Sequence, residues 1–132
     1  MEKAKILVID DEKIITESIK MELEDRGSYE VASAANGREG IEMAAKGKFD
    51  IAYVDLIMPD ISGVEVCRKI KEISPGTEVV MISGHYDEIM RRRDDFWEAG
   101  GRDEIMRKPF MSPSSIADMT GKIMEEKRSG NG

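Results

Sequence analysis

Hydrophobic and polar positions along this chain switch repeatedly between a short, continuous apolar run and a spaced, helical one. Lys5-Ile6-Leu7-Val8-Ile9 is an apolar run ending in acid, Asp10-Asp11-Glu12, and reads as a buried strand. Ile15, Ile19 and Leu23 then recur at helical spacing until Arg26-Gly27 stops the helix. Tyr29 to Ala34 is a second strand. Asn36-Gly37-Arg38-Glu39 has the form of an N-cap with an acidic residue three places on, and Ile41, Ala44 and Ala45 are expected on that helix's inner face, with Gly47 ending it. Residues 51–54, Ile-Ala-Tyr-Val, form a third strand that stops at Asp55.

Ser62-Gly63-Val64-Glu65 repeats the capping pattern and opens a helix with Val66, Ile70 and Ile73 down one face, closed by Ser74-Pro75-Gly76. Glu78-Val79-Val80-Met81-Ile82 is a fourth strand ending at Ser83. Residues 86–99 are expected to be helical, though untidily so, and Gly100-Gly101 closes them. A short fifth strand over 103–107 leads to Lys108-Pro109-Phe110. Ser112-Pro113 supplies a cap and a first-turn proline for a last helix, whose apolar stripe is Ile116, Met119, Ile123 and Met124. Strand and helix alternate five times. The expected fold is α/β: a doubly wound, five-stranded parallel sheet with five helices on its two faces.

Size and composition leave that picture as one unit. The chain has 132 residues, enough for a single substantial core. Residues 1–128 are expected to form it, and 129–132 a flexible tail or the start of a linker. Hydrophobic residues at 40% and charged ones at 36% fit a soluble domain, and no apolar run approaches the roughly 20 residues that span a bilayer. Met1 to Lys5 leads into the first strand without a signal-peptide pattern, so a cytoplasmic location is expected and membrane association is not. The net charge of −7 argues against direct nucleic-acid binding, with Arg91-Arg92-Arg93 read as a solvated helix face or partner contact. Cys67, the single cysteine, reads as a core or boundary thiol.

The candidate chemistry lies at the strand ends: Asp10 and Asp11 after the first, Asp55 after the third, Ser83 after the fourth, Lys108 after the fifth. Parallel strands bring those ends to one edge of the sheet, where open α/β folds bind ligands. Three carboxylates within about 5 Å of one another repel by roughly 3 kcal/mol per pair at an effective dielectric near 20. One lysine does not offset that. Oxygen donors without His or Cys favour a hard divalent ion, Mg²⁺ first, with Mn²⁺ or Ca²⁺ next. A metal, an ammonium and a hydroxyl around one carboxylate are the parts for accepting a phosphoryl group on Asp55. Taken singly, each residue has a plainer reading: a helix cap for Asp10 or Asp11, a loop cap for Asp55, a turn hydroxyl for Ser83, a surface position for Lys108.

As a set, these residues resemble the response-regulator receiver domain of two-component signalling, over about residues 4–127. The likeness is carried by the acidic pair, by Asp55-Leu56-Ile57-Met58-Pro59 with Gly63 eight places after the Asp, by Ser83, and by Lys108-Pro109-Phe110. It implies the flavodoxin- and CheY-like three-layer sandwich with strand order 2-1-3-4-5. It also implies that Asp55 is the phosphoacceptor, that Asp11 binds Mg²⁺ directly and Asp10 mainly through water, and that Ile57 offers its backbone carbonyl to the metal. Ser83 would hydrogen-bond a phosphoryl oxygen and Lys108 would pair with the phosphoryl group. The implied donor is the phosphohistidine of a histidine kinase, and the implied recipient of the signal an output domain or downstream protein; a phosphorylation-dependent dimer is compatible with the resemblance.

Two departures stand out. Ile105 occupies the place, three before the lysine, where the family usually has an aromatic residue. The segment from Ser83 to Gly101 is about three residues longer than usual, so the fourth helix is expected to be extended, shifted or mobile. His85 and Ile57 fall where the family tunes phosphoryl lifetime, and bulky Ile57 is expected to slow hydrolysis by occluding water. The implied role is regulatory: the domain assists its own phosphotransfer and slow dephosphorylation without being an enzyme. Two alternatives stay open, a phosphorylation-independent interaction module, which Ile105 permits, and an aspartyl-nucleophile hydrolase or mutase, for which Asp60 would have to serve as second acid and for which there is no room for a cap.

Overall fold

The computed structural model describes residues 3–110 and 114–130. In chain order the elements are β1 (Ala4–Ile9), α1 (Lys13–Glu24), β2 (Tyr29–Ala34), α2 (Gly37–Lys46), β3 (Ile51–Asp55), α3 (Gly63–Ile73), β4 (Glu78–Ser83), α4 (Tyr86–Glu98), β5 (Ile105–Arg107) and α5 (Ser115–Arg128). The strands form one sheet in the order β2-β1-β3-β4-β5, and every pairing is parallel. The doubly wound arrangement expected from the alternation is what the chain adopts.

Side chains that alternate along each strand feed two cores. Leu7, Ile9, Ala52, Val54, Val79 and Met81 pack with Val66, Cys67, Ile70, Ile89 and Phe96 on the face covered by α2, α3 and α4. Ile6, Val8, Ile51, Tyr53, Val80 and Ile82 pack with Ile19, Leu23, Ile116 and Ile123 beneath α1 and α5. The three central strands are buried on both sides, which is why they read as continuous apolar runs. Within the second core Tyr53 keeps its hydroxyl satisfied by Thr120 Oγ1 at 2.6 Å, and burial pushes its pKa above the ordinary tyrosine range. Cys67 is fully buried, and burial lifts its thiol to about 12, so it is an inert core residue.

The caps form as the sequence suggests. Asn36 Oδ1 accepts from the Glu39 amide at 2.9 Å, and Ser62 Oγ from that of Glu65 at 3.2 Å. Three expectations need correction. Ala45 is exposed; α2 buries Gly37, Gly40 and Ala44, and Ala45 lies about 100° further round the helix. Ile73 is 44% exposed because it ends α3, beyond Ile70, the last buried position of that helix. The fifth strand has only three residues, since Arg102 and Glu104 are drawn into a charge cluster ahead of it. The long segment after Ser83 is taken up by a 13-residue helix, α4. The expected cap at Ser112-Pro113 lies outside the described residues, and α5 begins at Ser115.

Backbone contact fixes how closely α3 follows β3. The Gly63 amide donates to Leu56 O at 2.8 Å, and a Cβ on Gly63 would run into the Asp55 carbonyl oxygen and stand 2.8 Å from Leu56 Cα. No side-chain rotation relieves a clash with backbone, so Gly63→Ala is expected to cost about 2 kcal/mol despite alanine's better helix propensity. In urea unfolding this appears as a lower midpoint at unchanged slope. Gly76→Ala, where nothing lies within 4 Å, is the control and should be close to neutral.

Candidate functional site

Parallel pairing delivers the strand ends to one rim, and backbone hydrogen bonds continue past the strands to hold them there. The Asp10 amide donates to Ala34 O at 3.1 Å, that of Leu56 to Ile82 O at 3.1 Å, and that of Lys108 to Ser83 O at 2.8 Å. Asp10 is in step with Ile6 and Val8, Asp55 with Ile51 and Tyr53, and Lys108 with Met106, so all three follow the alternation of the α1/α5 face. Asp10, Asp11 and Asp55 each offer a carboxylate oxygen within 4.8 Å of the others.

Lys108 reaches into this group. Its Nζ lies 2.6 Å from Glu12 Oε1, 3.1 Å from Asp10 Oδ2 and 3.7 Å from Asp55 Oδ2. The first two are hydrogen bonds; the third is an ion pair without one. Asp10 also accepts from the Glu12 amide at 2.9 Å. Asp55 is less well served: it is 3% exposed, and its Oδ1 is buried with no hydrogen-bond partner. Ser83, also buried, sits one residue beyond Ile82, the register partner of Asp55, and its Oγ accepts from the His85 amide at 3.1 Å. Ile57 is 41% exposed on the loop leaving Asp55, and His85 is exposed ahead of α4.

Four carboxylates around one ammonium leave a local excess of negative charge, and the titration behaviour reflects it. Burial, then the neighbouring Asp10, raises the Asp55 pKa from 3.8 to about 7, against the pull of Lys108 and the Ile57 amide. Burial also raises Asp10, opposed by the Glu12 amide and Lys108. Burial alone would lower the Lys108 pKa, but Glu12 and Asp10 hold it above the ordinary lysine value.

Two residues beside this group were not anticipated from the pattern. Glu12, which simply follows the acidic pair, is the nearest partner of Lys108. Asp60, considered only as a second catalytic acid, instead accepts the amides of Gly37 and Arg38 at 3.0 and 2.9 Å and ties the loop after Asp55 to the start of α2. An exposed acid next to a proline-containing loop and 22 to 23 residues from a helix start is a weak cue to that contact. Arg91 and Arg92 pair with Glu88 and Asp95 on the surface of α4, the solvated face expected of them.

The family model of the response regulator receiver domain matches residues 6–120. The chain belongs to the receiver family. Among curated relatives, this receiver is 39% identical over 114 residues to the transcriptional regulatory protein ResD of Bacillus subtilis, covering 86% of this chain and 45% of that one. It is 35% identical over 112 residues to the transcriptional regulatory protein SrrA of Staphylococcus aureus, covering 85% and 44%. The chain thus spans less than half the length of these relatives. Among solved structures, a CheY-like response regulator receiver domain protein from Methanospirillum hungatei superposes with a TM-score of 0.82 at 28% identity, over 97% of this chain and 99% of that one.

The raised acids set a pH dependence of stability in the metal-free receiver. Between about pH 4 and 7 the folded state holds a proton on Asp55 that the unfolded state has released, so stability falls as pH rises through that window. The change is on the order of 4 kcal/mol across the whole window, of which about 3 kcal/mol falls between pH 5 and pH 8. Denaturant unfolding in EDTA at pH 5 and pH 8 should show it, and Asp55→Asn should flatten the slope and stabilise the protein at pH 8.

Proposed function

We propose that this receiver accepts a phosphoryl group on Asp55 from the phosphohistidine of a histidine kinase, in a Mg²⁺-dependent reaction, and thereby switches binding to an output domain or downstream protein. The observation that carries the reading is the buried Asp55 carboxylate, one oxygen unpartnered, with Asp10, Asp11 and Lys108 converging on it. A carboxylate oxygen of Asp55 attacks phosphorus, the phosphorus–nitrogen bond of the donor breaks, and the imidazole leaves with the electron pair. Lys108 supplies positive charge to the phosphoryl oxygens, and the Ser83 hydroxyl offers them a hydrogen bond.

The donor set suits a hard divalent ion, since it consists of oxygens and carries more negative charge than Lys108 offsets. Asp11 and Asp55 would hold it directly, Ile57 through its carbonyl, and Asp10 mainly through water; Mn²⁺ is the expected substitute. Bound there, the ion neutralises charge on the carboxylates and on the incoming phosphoryl group. The role is regulatory, and the domain assists its own phosphotransfer and slow dephosphorylation. ResD and SrrA are transcriptional regulatory proteins, which supports reading residues 1–128 as a cytoplasmic receiver unit, with 129–132 a flexible tail or the start of a linker. A phosphorylation-dependent dimer is a further consequence open to test. The competing reading, an interaction module that works without phosphorylation, draws on Ile105 at the usual aromatic place, where it packs half-buried against the α4-side core.

Incubation with acetyl phosphate and Mg²⁺, followed by intact mass, separates the two. The expected result is one added phosphoryl group, lost in EDTA and in Asp55→Ala, and slowed in Lys108→Ala; no added mass on the unaltered protein would favour the interaction module. With the phosphorylated form in hand, Ile57→Asn should shorten the lifetime of the acyl phosphate, because a polar, narrower side chain admits and orients water where Ile57 occludes it. An unchanged half-life would leave Ile57 without a kinetic role.

A further inference from the structure

The partners of Lys108 are distributed unexpectedly for a residue that is to serve Asp55. Its ammonium has three protons. One lies toward Glu12 at 2.6 Å and one toward Asp10 at 3.1 Å, while Asp55 stands off at 3.7 Å. Glu12 differs from the other two acids in its surroundings: its side chain is 58% exposed, against 0% for Asp10 and 4% for Asp55. It also occupies the N-cap position of α1 without using its side chain to cap the helix. The only hydrogen bond its carboxylate makes among the described residues is the one to Lys108.

Resting on the phosphoacceptor reading above, we infer that Glu12 is a positioning residue that holds the Lys108 ammonium away from Asp55 in the resting protein and releases it to the phosphoryl group. The exchange is physically inexpensive in one direction. A half-exposed carboxylate that loses its partner is solvated at once, whereas Asp10 or Asp55 would be left as a buried charge. A phosphoryl group brings three strong acceptor oxygens and about −1.5 to −2 charges to Asp55, enough to outbid one solvated carboxylate. Glu12 therefore lowers the share of resting molecules in which the ammonium is close enough to help the attacking oxygen. It sets how readily the domain is phosphorylated without touching the reacting atoms.

Charge and reach are separable by substitution. Glu12→Gln removes the charge and keeps the length; Glu12→Asp keeps the charge one methylene short of Lys108. If Glu12 acts by holding the ammonium, both variants phosphorylate faster than the parent with acetyl phosphate and Mg²⁺, by about two- to fivefold, the range carried by an ion pair of this exposure. If it merely repels an anionic donor, Glu12→Asp matches the parent and only Glu12→Gln is faster, and the inference falls. A second readout concerns the resting state alone: the Lys108 side-chain nitrogen and ε-carbon NMR signals should shift in both variants before any donor is added. Signals that stay in place would also overturn the inference. Failure of the underlying reading looks different, because the parent protein itself would gain no phosphoryl mass.

Discussion

A carboxylate buried with one oxygen unpartnered is a free-energy debt, and here it sits at the end of the central strand. Asp55 is only partly satisfied by protein: the Ile57 amide serves it, but its other neighbours are acids of the same sign and a lysine already bonded to two other oxygens. Protonation relieves the strain in the isolated protein, which is what the upward shift to about 7 expresses. On the proposed reading, a divalent cation would relieve it while leaving the carboxylate ionised. The same feature that weakens the fold at neutral pH is thus the one on which the proposed phosphoacceptor role of Asp55 rests, and the two cores flanking β3 supply the stability that tolerates it.

The opposite edge of the sheet shows what closer compensation looks like. There Arg102 bonds Glu78 at 2.6 Å, Glu104 at 2.8 Å and Glu126 at 2.5 Å, and Lys122 adds a second cation to Glu104. Arg102 first among its partners lowers the Glu104 pKa to about 2, the reverse of what happens at Asp55. Two cations answer three acids at that edge, with β4, β5 and α5 stapled together. One cation answers four acids at the other. The uneven charge balance of the two rims is what supports the second as the proposed cation and phosphoryl site.

How far this was legible follows from which interactions are local. The strands of the double-sided core announced themselves because burial on both faces removes the polar alternation, and the caps at Asn36 and Ser62 because their partners are three residues away. Asp10, Asp11, Asp55, Ser83 and Lys108 could be assembled because strand direction alone sends all of them to one rim. Glu12 could not, since its bond to Lys108 crosses 96 residues and depends on the lysine's reach. Nor could Asp60, whose acceptor role needs the start of α2 brought beside the loop. The misplaced Ala45 has a similar cause. Gly40 is the position where α2 comes so close to Ile9 that a Cβ would clash with it, and that approach turns the buried stripe away from Ala45.

The surface above the site shows why Ile105 need not disconnect it from the rest of the molecule. Arg107 precedes Lys108 in the chain, and its guanidinium carbon lies 4.9 Å from the centre of the Tyr86 ring at the start of α4. Tyr86 follows His85, whose amide is held by Ser83 Oγ. The two groups expected to close on a phosphoryl oxygen are therefore one and three residues from the two partners of a single exposed contact. Short chain connections join each pair. On the proposed reading, motion of the Ser83 and Lys108 loops toward Asp55 would reach the contact where Tyr86 meets Arg107, on a face that also exposes Met90 and Trp97. An aromatic side chain is thus present at the seam between α4 and β5, contributed by the helix where the family pattern would place it on the strand.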